Sequence, residues 1–111
     1  MLLVYIAEAH AADAWPINSS RYLGPANTVH TPTTLAERRA VVRRMLEALP
    51  CLRELPILVD DLDDRFLSMY AAWPIRLYAV SADGRLVRIS QPCGSVIDLD
   101  PFCRWLVELT A

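Results

Sequence analysis

At 111 residues, with 54% hydrophobic and 22% charged residues, the chain has the make-up of one compact globular domain and none of the bias of disordered or collagenous sequence. Its formal net charge of -2 argues against a nucleic-acid partner, because phosphate binding calls for clustered positive charge. No apolar run approaches the ~20 residues that cross a bilayer, and the N-terminal run is too short and lacks the basic flank of a secretion signal, so a cytoplasmic protein with no membrane segment is expected.

The chain opens on Met1-Leu2-Leu3-Val4-Tyr5-Ile6-Ala7, a continuous apolar run that reads as a strand covered on both faces, as in parallel sheets. It runs directly into Glu8, His10, Asp13 and Trp15. Polar groups just past the carboxyl end of such a strand stand where open α/β sheets bind ligands, which makes these residues the first site candidates. Residues 11–33 form a long loop punctuated by Trp15-Pro16, Asn18-Ser19-Ser20, Gly24-Pro25 and Thr31-Pro32, the natural lid over the strand end. Thr34-Leu35-Ala36-Glu37 is a capping box. The helix behind it carries Leu35, Val42, Met45, Leu46 and Leu49 on one face, has Arg38, Arg39, Arg43 and Glu47 elsewhere, and ends before Pro50.

Pro56-Ile57-Leu58-Val59-Asp60 is a second buried strand with an acid at its carboxyl end. Asp63 caps a short helix to about residue 72, with Phe66, Met69, Tyr70 and Trp73 turned inward. This spacing implies a right-handed crossover between parallel strands. Residues 76–80 and 85–89, joined by Ser81-Ala82-Asp83-Gly84, read as an antiparallel hairpin with an Asp-Gly turn. Asp100-Pro101 starts a last helix, with Phe102, Trp105, Leu106 and Leu109 at i, i+3, i+4 and i+7.

Cysteines at 51, 93 and 103 make neither a disulfide framework nor a Cys-x-x-Cys motif, and reduced, mostly buried thiols are expected. Asp60, Asp61, Asp63 and Asp64 lack the spacing and glycine of an EF-hand and read as caps and solvated acids. His10, Asp13 and His30 lack zinc-ligand spacing, so no metal site is expected.

Two blocks carry a family likeness. Val4-Tyr5-Ile6-x-Glu8-Ala9-His10-x-x-Asp13-x-Trp15 resembles the segment after the catalytic helix of iodothyronine deiodinases, and Ser68 to Val80, with Asp83-Gly84-Arg85 behind it, resembles a later strand of that family. The resemblance implies an α/β, thioredoxin-like domain over residues 1–111. The elements above follow its order, β-α-β-α-β-β-α, with two parallel strands and a C-terminal hairpin plus helix, lacking the upstream strand and helix that carry the family's selenocysteine or cysteine. A truncated, N-terminally incomplete selenoprotein is therefore expected.

The resemblance also implies roles. His10 matches a proton donor or relay, for which an imidazole is suited, and Glu8 would orient it or hold its charge. His30, ahead of Leu35, Glu37 and Arg38, is similar to a second family histidine that meets substrate, although its gap to the helix is longer here. Pro74 falls where the fold carries a cis-proline and would be a pocket wall. Arg76 matches the arginine of the family's Pro-Glu-Arg-Leu-Tyr motif and would pair with Glu8 or Asp60 or bind a substrate carboxylate, while Ile75 replaces the glutamate of that motif. Apart from the resemblance, Trp15, Trp73 and Trp105 read first as core residues, with Trp15 and Trp73 lining a ring pocket as the alternative, and Cys51 is a candidate resolving thiol.

The expected activity is reductive removal of iodine or another halogen from an aromatic substrate by a selenol or thiol absent from these residues, with no bound cofactor and an external thiol reductant. Two alternatives stay open. One is a peroxiredoxin-like thiol or selenol peroxidase; the other is a non-catalytic thioredoxin-like binding module, for which a homodimer would be a natural state.

Overall fold

The N-terminal run forms a short strand, β1 (Leu3–Tyr5), in a computed structural model that describes residues 1–16, 28–93, 96–97 and 99–111. It pairs in parallel with β2 (Ile57–Val59), Leu3 opposite Ile57 and Tyr5 opposite Val59. Bonds from the Leu3 amide to the Pro56 carbonyl (3.0 Å) and from the Asp60 amide to the Tyr5 carbonyl (2.8 Å) extend the ladder, so the polar residues after both strands leave the same end of the pair. The strands are not covered on both faces as expected. All of β1 is only half-buried and Leu58 is exposed, since a pair of strands with one neighbour each has little to cover it.

Between them lies α1 (Leu35–Ala48). Its capping box is complete: Thr34 Oγ1 accepts the Glu37 amide at 3.1 Å and Glu37 Oε2 accepts the Thr34 amide at 3.3 Å. The same Glu37 oxygen also takes the Thr33 amide and hydroxyl, at 2.6 and 2.9 Å. Pro50 ends the helix as expected and begins a 3₁₀ turn, Pro50–Glu54.

The next helix, α2 (Arg65–Tyr70), is shorter than expected because left-handed residues bracket it, Asp64 at φ 52° and Ala71 at φ 50°. Met69 and Trp73, expected inside, are 69% and 43% exposed. A helix of barely two turns presents only part of such a stripe to its neighbours. These elements form one compact unit, Met1–Trp73.

Pro74–Ala111 forms a second unit. Strands β3 (Tyr78–Val80) and β4 (Leu86–Ile89) are antiparallel, with Tyr78 opposite Ile89 and a register shift at Val80 that bulges the ladder. The Asp-Gly turn is present; Gly84 takes φ 84°, which glycine adopts without the penalty a Cβ brings, and its amide bonds the Ser81 carbonyl at 2.9 Å. Ser90 closes the far end, its amide donating to the Leu77 carbonyl (2.9 Å) while its hydroxyl accepts the Leu77 amide (2.8 Å).

A second small hairpin, β5 (Pro92–Cys93) with β6 (Val96–Ile97), was not expected from the sequence. The chain then enters α3 (Asp100–Thr110), with Pro101 in its first turn. Phe102 is buried and its ring meets Trp105 at 5.7 Å; Arg88 lies over the Trp105 ring at 5.1 Å. Leu106 and Leu109, expected on the packed stripe, stay 43% and 64% exposed, so only the turn around Phe102 is covered.

The architecture is thus mixed α/β, with one parallel pair, antiparallel pairs and three α-helices among the described residues.

Candidate functional site

Past the carboxyl end of β1 the chain turns sharply, and His10 takes φ 64°. Non-glycine residues rarely adopt that region, and where they do the strain often marks a functional site. Its Nδ1 lies 3.1 Å from the Trp15 carbonyl, and its ring packs on the Trp15 ring at 4.5 Å. A carbonyl only accepts, so Nδ1 carries the proton in the neutral ring and Nε2 is left with the lone pair. Trp15 in turn stacks on Trp73, centroids 6.2 Å apart and planes 25° from parallel. Histidine and the two tryptophans therefore form one aromatic column, and both tryptophans are largely open to solvent.

This turn is tied down on both sides. The Ala14 and Trp15 amides bond the Ala11 carbonyl, and the Ala12 amide bonds the Val29 carbonyl. Asp13 Oδ1 accepts the Thr31 amide (2.8 Å) and hydroxyl (3.0 Å). The bond from the Thr31 amide is the main reason the Asp13 carboxyl is held below the usual carboxylate range, with the charge of His30 a minor contributor. His30 itself is exposed. The middle of the expected lid, including Asn18-Ser19-Ser20 and Gly24-Pro25, lies outside the described residues.

Glu8 points the other way, into the unit. Its side chain is 5% exposed, and its basic neighbour is Arg38 of α1, with Arg38 Nε 3.5 Å from Glu8 Oε1. At that separation the two form an ion pair without a hydrogen bond, and neither atom has another hydrogen-bonding partner. Tyr5 hydrogen-bonds Glu8 as well; burial, then the charge of Glu8 and that bond, hold the Tyr5 phenol well above the ordinary tyrosine range, so it remains a proton donor.

Arg38 does more than face Glu8. Its Nη1 donates to the carbonyls of Asp60 (3.1 Å) and Asp61 (2.8 Å) and to Asp64 Oδ1 (3.1 Å). Asp60 is buried too, and its carboxylate accepts three amides: Asp61 and Phe66 on Oδ1, Leu67 on Oδ2. It caps α2 from outside the helix, the task expected of Asp63, whose Oδ1 takes only the Arg65 amide at 3.2 Å. Asp61 Oδ1 takes the Leu62 amide. The acidic run is therefore spent on caps and on Arg38, in keeping with its reading as structural.

Arg38 is the site residue that sequence reasoning missed. It was placed off the apolar face of α1, yet it is 3% exposed. The signal was there: Arg38 falls three residues after Leu35 and four before Val42, on the apolar stripe itself.

Of the remaining candidates, Pro74 is exposed and Arg76 half-buried, both in the second unit. Cys51 is exposed in the 3₁₀ turn, and Cys103 is exposed on α3; both depart from the expected buried thiols, because each falls on the solvent side of a short helical segment. The side chain of Cys93 lies outside those described.

The sequence model of the iodothyronine deiodinase family matches residues 1–106. The chain is 30% identical over 86 residues to a type I iodothyronine deiodinase of Xenopus laevis, covering 78% of this chain and 30% of that protein. It is 32% identical over 82 residues to a thyroxine 5-deiodinase of Gallus gallus, covering 74% of this chain and 29% of that protein. The chain thus spans about three-tenths of the length of these relatives. No solved structure matches it.

Proposed function

The chain belongs to the iodothyronine deiodinase family, and from that premise we propose that it is the proton-delivering part of a thioredoxin-like reductive dehalogenase whose nucleophile is supplied by chain outside these 111 residues. A selenolate or thiolate attacks the iodine of an aryl iodide; a selenium–iodine or sulfur–iodine bond forms as the carbon–iodine bond breaks, and the bonding pair stays on the ring carbon. That carbon takes a proton. An external thiol reductant then converts the selenenyl or sulfenyl iodide to free nucleophile and iodide, itself ending as a disulfide.

The observation that carries this reading is the setting of His10. With Nδ1 donating to the Trp15 carbonyl, Nε2 is the nitrogen open to take up a proton and, from the imidazolium, to deliver it to the ring carbon, and the solvent-exposed Trp15 and Trp73 beside it suit a flat aromatic substrate. His30 and Arg76 are assigned to substrate contact, Pro74 to a pocket wall, and the exposed Cys51 to a resolving thiol. Ile75, in place of the family's glutamate, points to an iodinated or otherwise halogenated phenol broader than thyroid hormone.

The test is iodide release from an iodinated phenol with dithiothreitol as reductant, by the chain joined to the coding segment that precedes it. Activity in the longer protein, a roughly hundredfold fall in kcat/KM for His10→Ala, and none in the 111-residue form is the expected result. Peroxide reduction without iodide release would replace this reading with a peroxidase. Neither activity would leave a binding module.

A further inference from the structure

We propose that Arg38 is the positioning residue of this site: it keeps Glu8 a buried carboxylate at a fixed place two residues before His10 in the chain, and it locks α1 and the segment between β2 and α2 onto that carboxylate.

Glu8 is two residues before His10 and almost without solvent. A carboxylate so placed needs a compensating charge, since burying an unpaired ion is far costlier than burying a pair. Among the described residues the groups around it are Tyr5 on its own segment, Arg38 from α1, and Asp60 and Asp64 on the far side of Arg38. Tyr5 brings a hydrogen bond but no charge. Asp60 and Asp64 are themselves acidic, and Asp60 is already satisfied by three amides, presenting its carbonyl to Arg38 instead of its carboxylate.

Among the described residues Arg38 is therefore the cation that answers Glu8, and the division of its nitrogens shows how. The Nη1 end is fixed by three acceptors from residues 60–64, which leaves Nε facing Glu8. A planar guanidinium does both at once; an ammonium on a flexible stem keeps the charge but not the fork. The 3.5 Å gap, with an unsatisfied donor on one side and an unsatisfied acceptor on the other, is a contact held by charge, with room to tighten into a hydrogen bond.

This inference deepens the deiodinase reading and rests on it for its catalytic consequence, but its physical core is testable apart from activity. The measurement is infrared difference spectroscopy of the 111-residue chain at neutral pH, with Glu8→Gln identifying the bands of Glu8. Arg38→Met is expected to convert the Glu8 carboxylate bands into those of a protonated carboxyl, and Arg38→Lys to retain the carboxylate. An unchanged Glu8 carboxylate in Arg38→Met, or the same loss in both variants, overturns the proposal. Should Arg38→Met fail to fold, the Glu8→Gln/Arg38→Met double variant, which no longer buries a lone charge, is expected to recover folding; failure to recover would assign Arg38 to the loop carbonyls alone and overturn the link to Glu8.

In the longer protein, Arg38→Met is expected to lower kcat at least tenfold with little change in KM, and Arg38→Lys to recover most of it. Equal loss in both would again overturn the proposal. Absence of iodide release from the unsubstituted protein would sink the deiodinase reading while leaving the spectroscopic result to stand by itself.

Discussion

In the Met1–Trp73 unit the buried polar groups are charged, Arg38 and Asp60, and each holds several partners drawn from separate stretches of chain; in the Pro74–Ala111 unit the corresponding group is a neutral serine, Ser90, bonded twice to Leu77. The apolar side differs too. Among its described residues the second unit buries one large side chain, Phe102, and leaves Val80, Val87, Val107 and Leu109 more than half exposed. Charge inside a small unit is tolerated only when geometry is enforced, and enforced geometry is what a reacting site requires. The first unit is built to hold groups in place, the second to pair backbone and present surface.

The sharpest way to break this contrast is Phe102→Ala. Loss of this buried ring is expected to cost roughly 3 kcal/mol, and hydrogen exchange should show the protection lost in β3, β4 and α3 while α1 keeps its own. Equal loss in both units would mean that they open together and that the contrast is only one of composition. Asp60→Ala, at about 2 to 3 kcal/mol for the α2 amides left without an acceptor, is the matching change in the first unit. Its mark should be early exchange at Phe66 and Leu67.

Thr34→Ala removes the helix cap and is expected to cost about 1 kcal/mol, read from the midpoint of thermal unfolding. The smallest expected effect concerns pH. Bonds from Thr33, amide first and then hydroxyl, with a lesser one from the Thr34 amide, hold the Glu37 carboxyl below its ordinary range. The stabilisation is complete above the ordinary glutamate value and disappears as pH falls through that value and on past the lower folded one. Glu37→Gln should therefore flatten the acid limb of the stability curve, and an unaltered limb would show that the capping box does not contribute to it.

What the sequence disclosed was local. The Thr34–Glu37 capping box, the stop at Pro50 and the Asp83-Gly84 turn all depend on residues within a few positions of one another, and all are present. The parallel pairing of β1 with β2 was also legible, from the length of chain between two apolar runs. Arg38 was passed over although it falls on the stripe of Leu35 and Val42, because a charged residue on a helix is assigned to solvent by type, and its partners at residues 8 and 60–64 lie far off in sequence. The cap on α2 went to Asp63 by proximity, whereas Asp60 reaches it from six and seven residues away. The left-handed turn at His10 has no glycine or asparagine to mark it, and histidine, though it enters that region more readily than most residues, is not by itself a turn signal.

The register of β1 against β2 also sets an order of events as the chain is made. Leu3 waits for Ile57, roughly fifty positions later, whereas Val80 meets Leu86 almost at once. At a ribosome adding about 5–20 residues per second, the segment that bears Glu8 and His10 spends roughly 3 to 10 s without the strand it pairs with, while the β3–β4 hairpin needs only microseconds once its residues exist. The segment that bears Glu8 and His10 thus waits far longer for its partner than either strand of the hairpin does, although that partner is made before the hairpin.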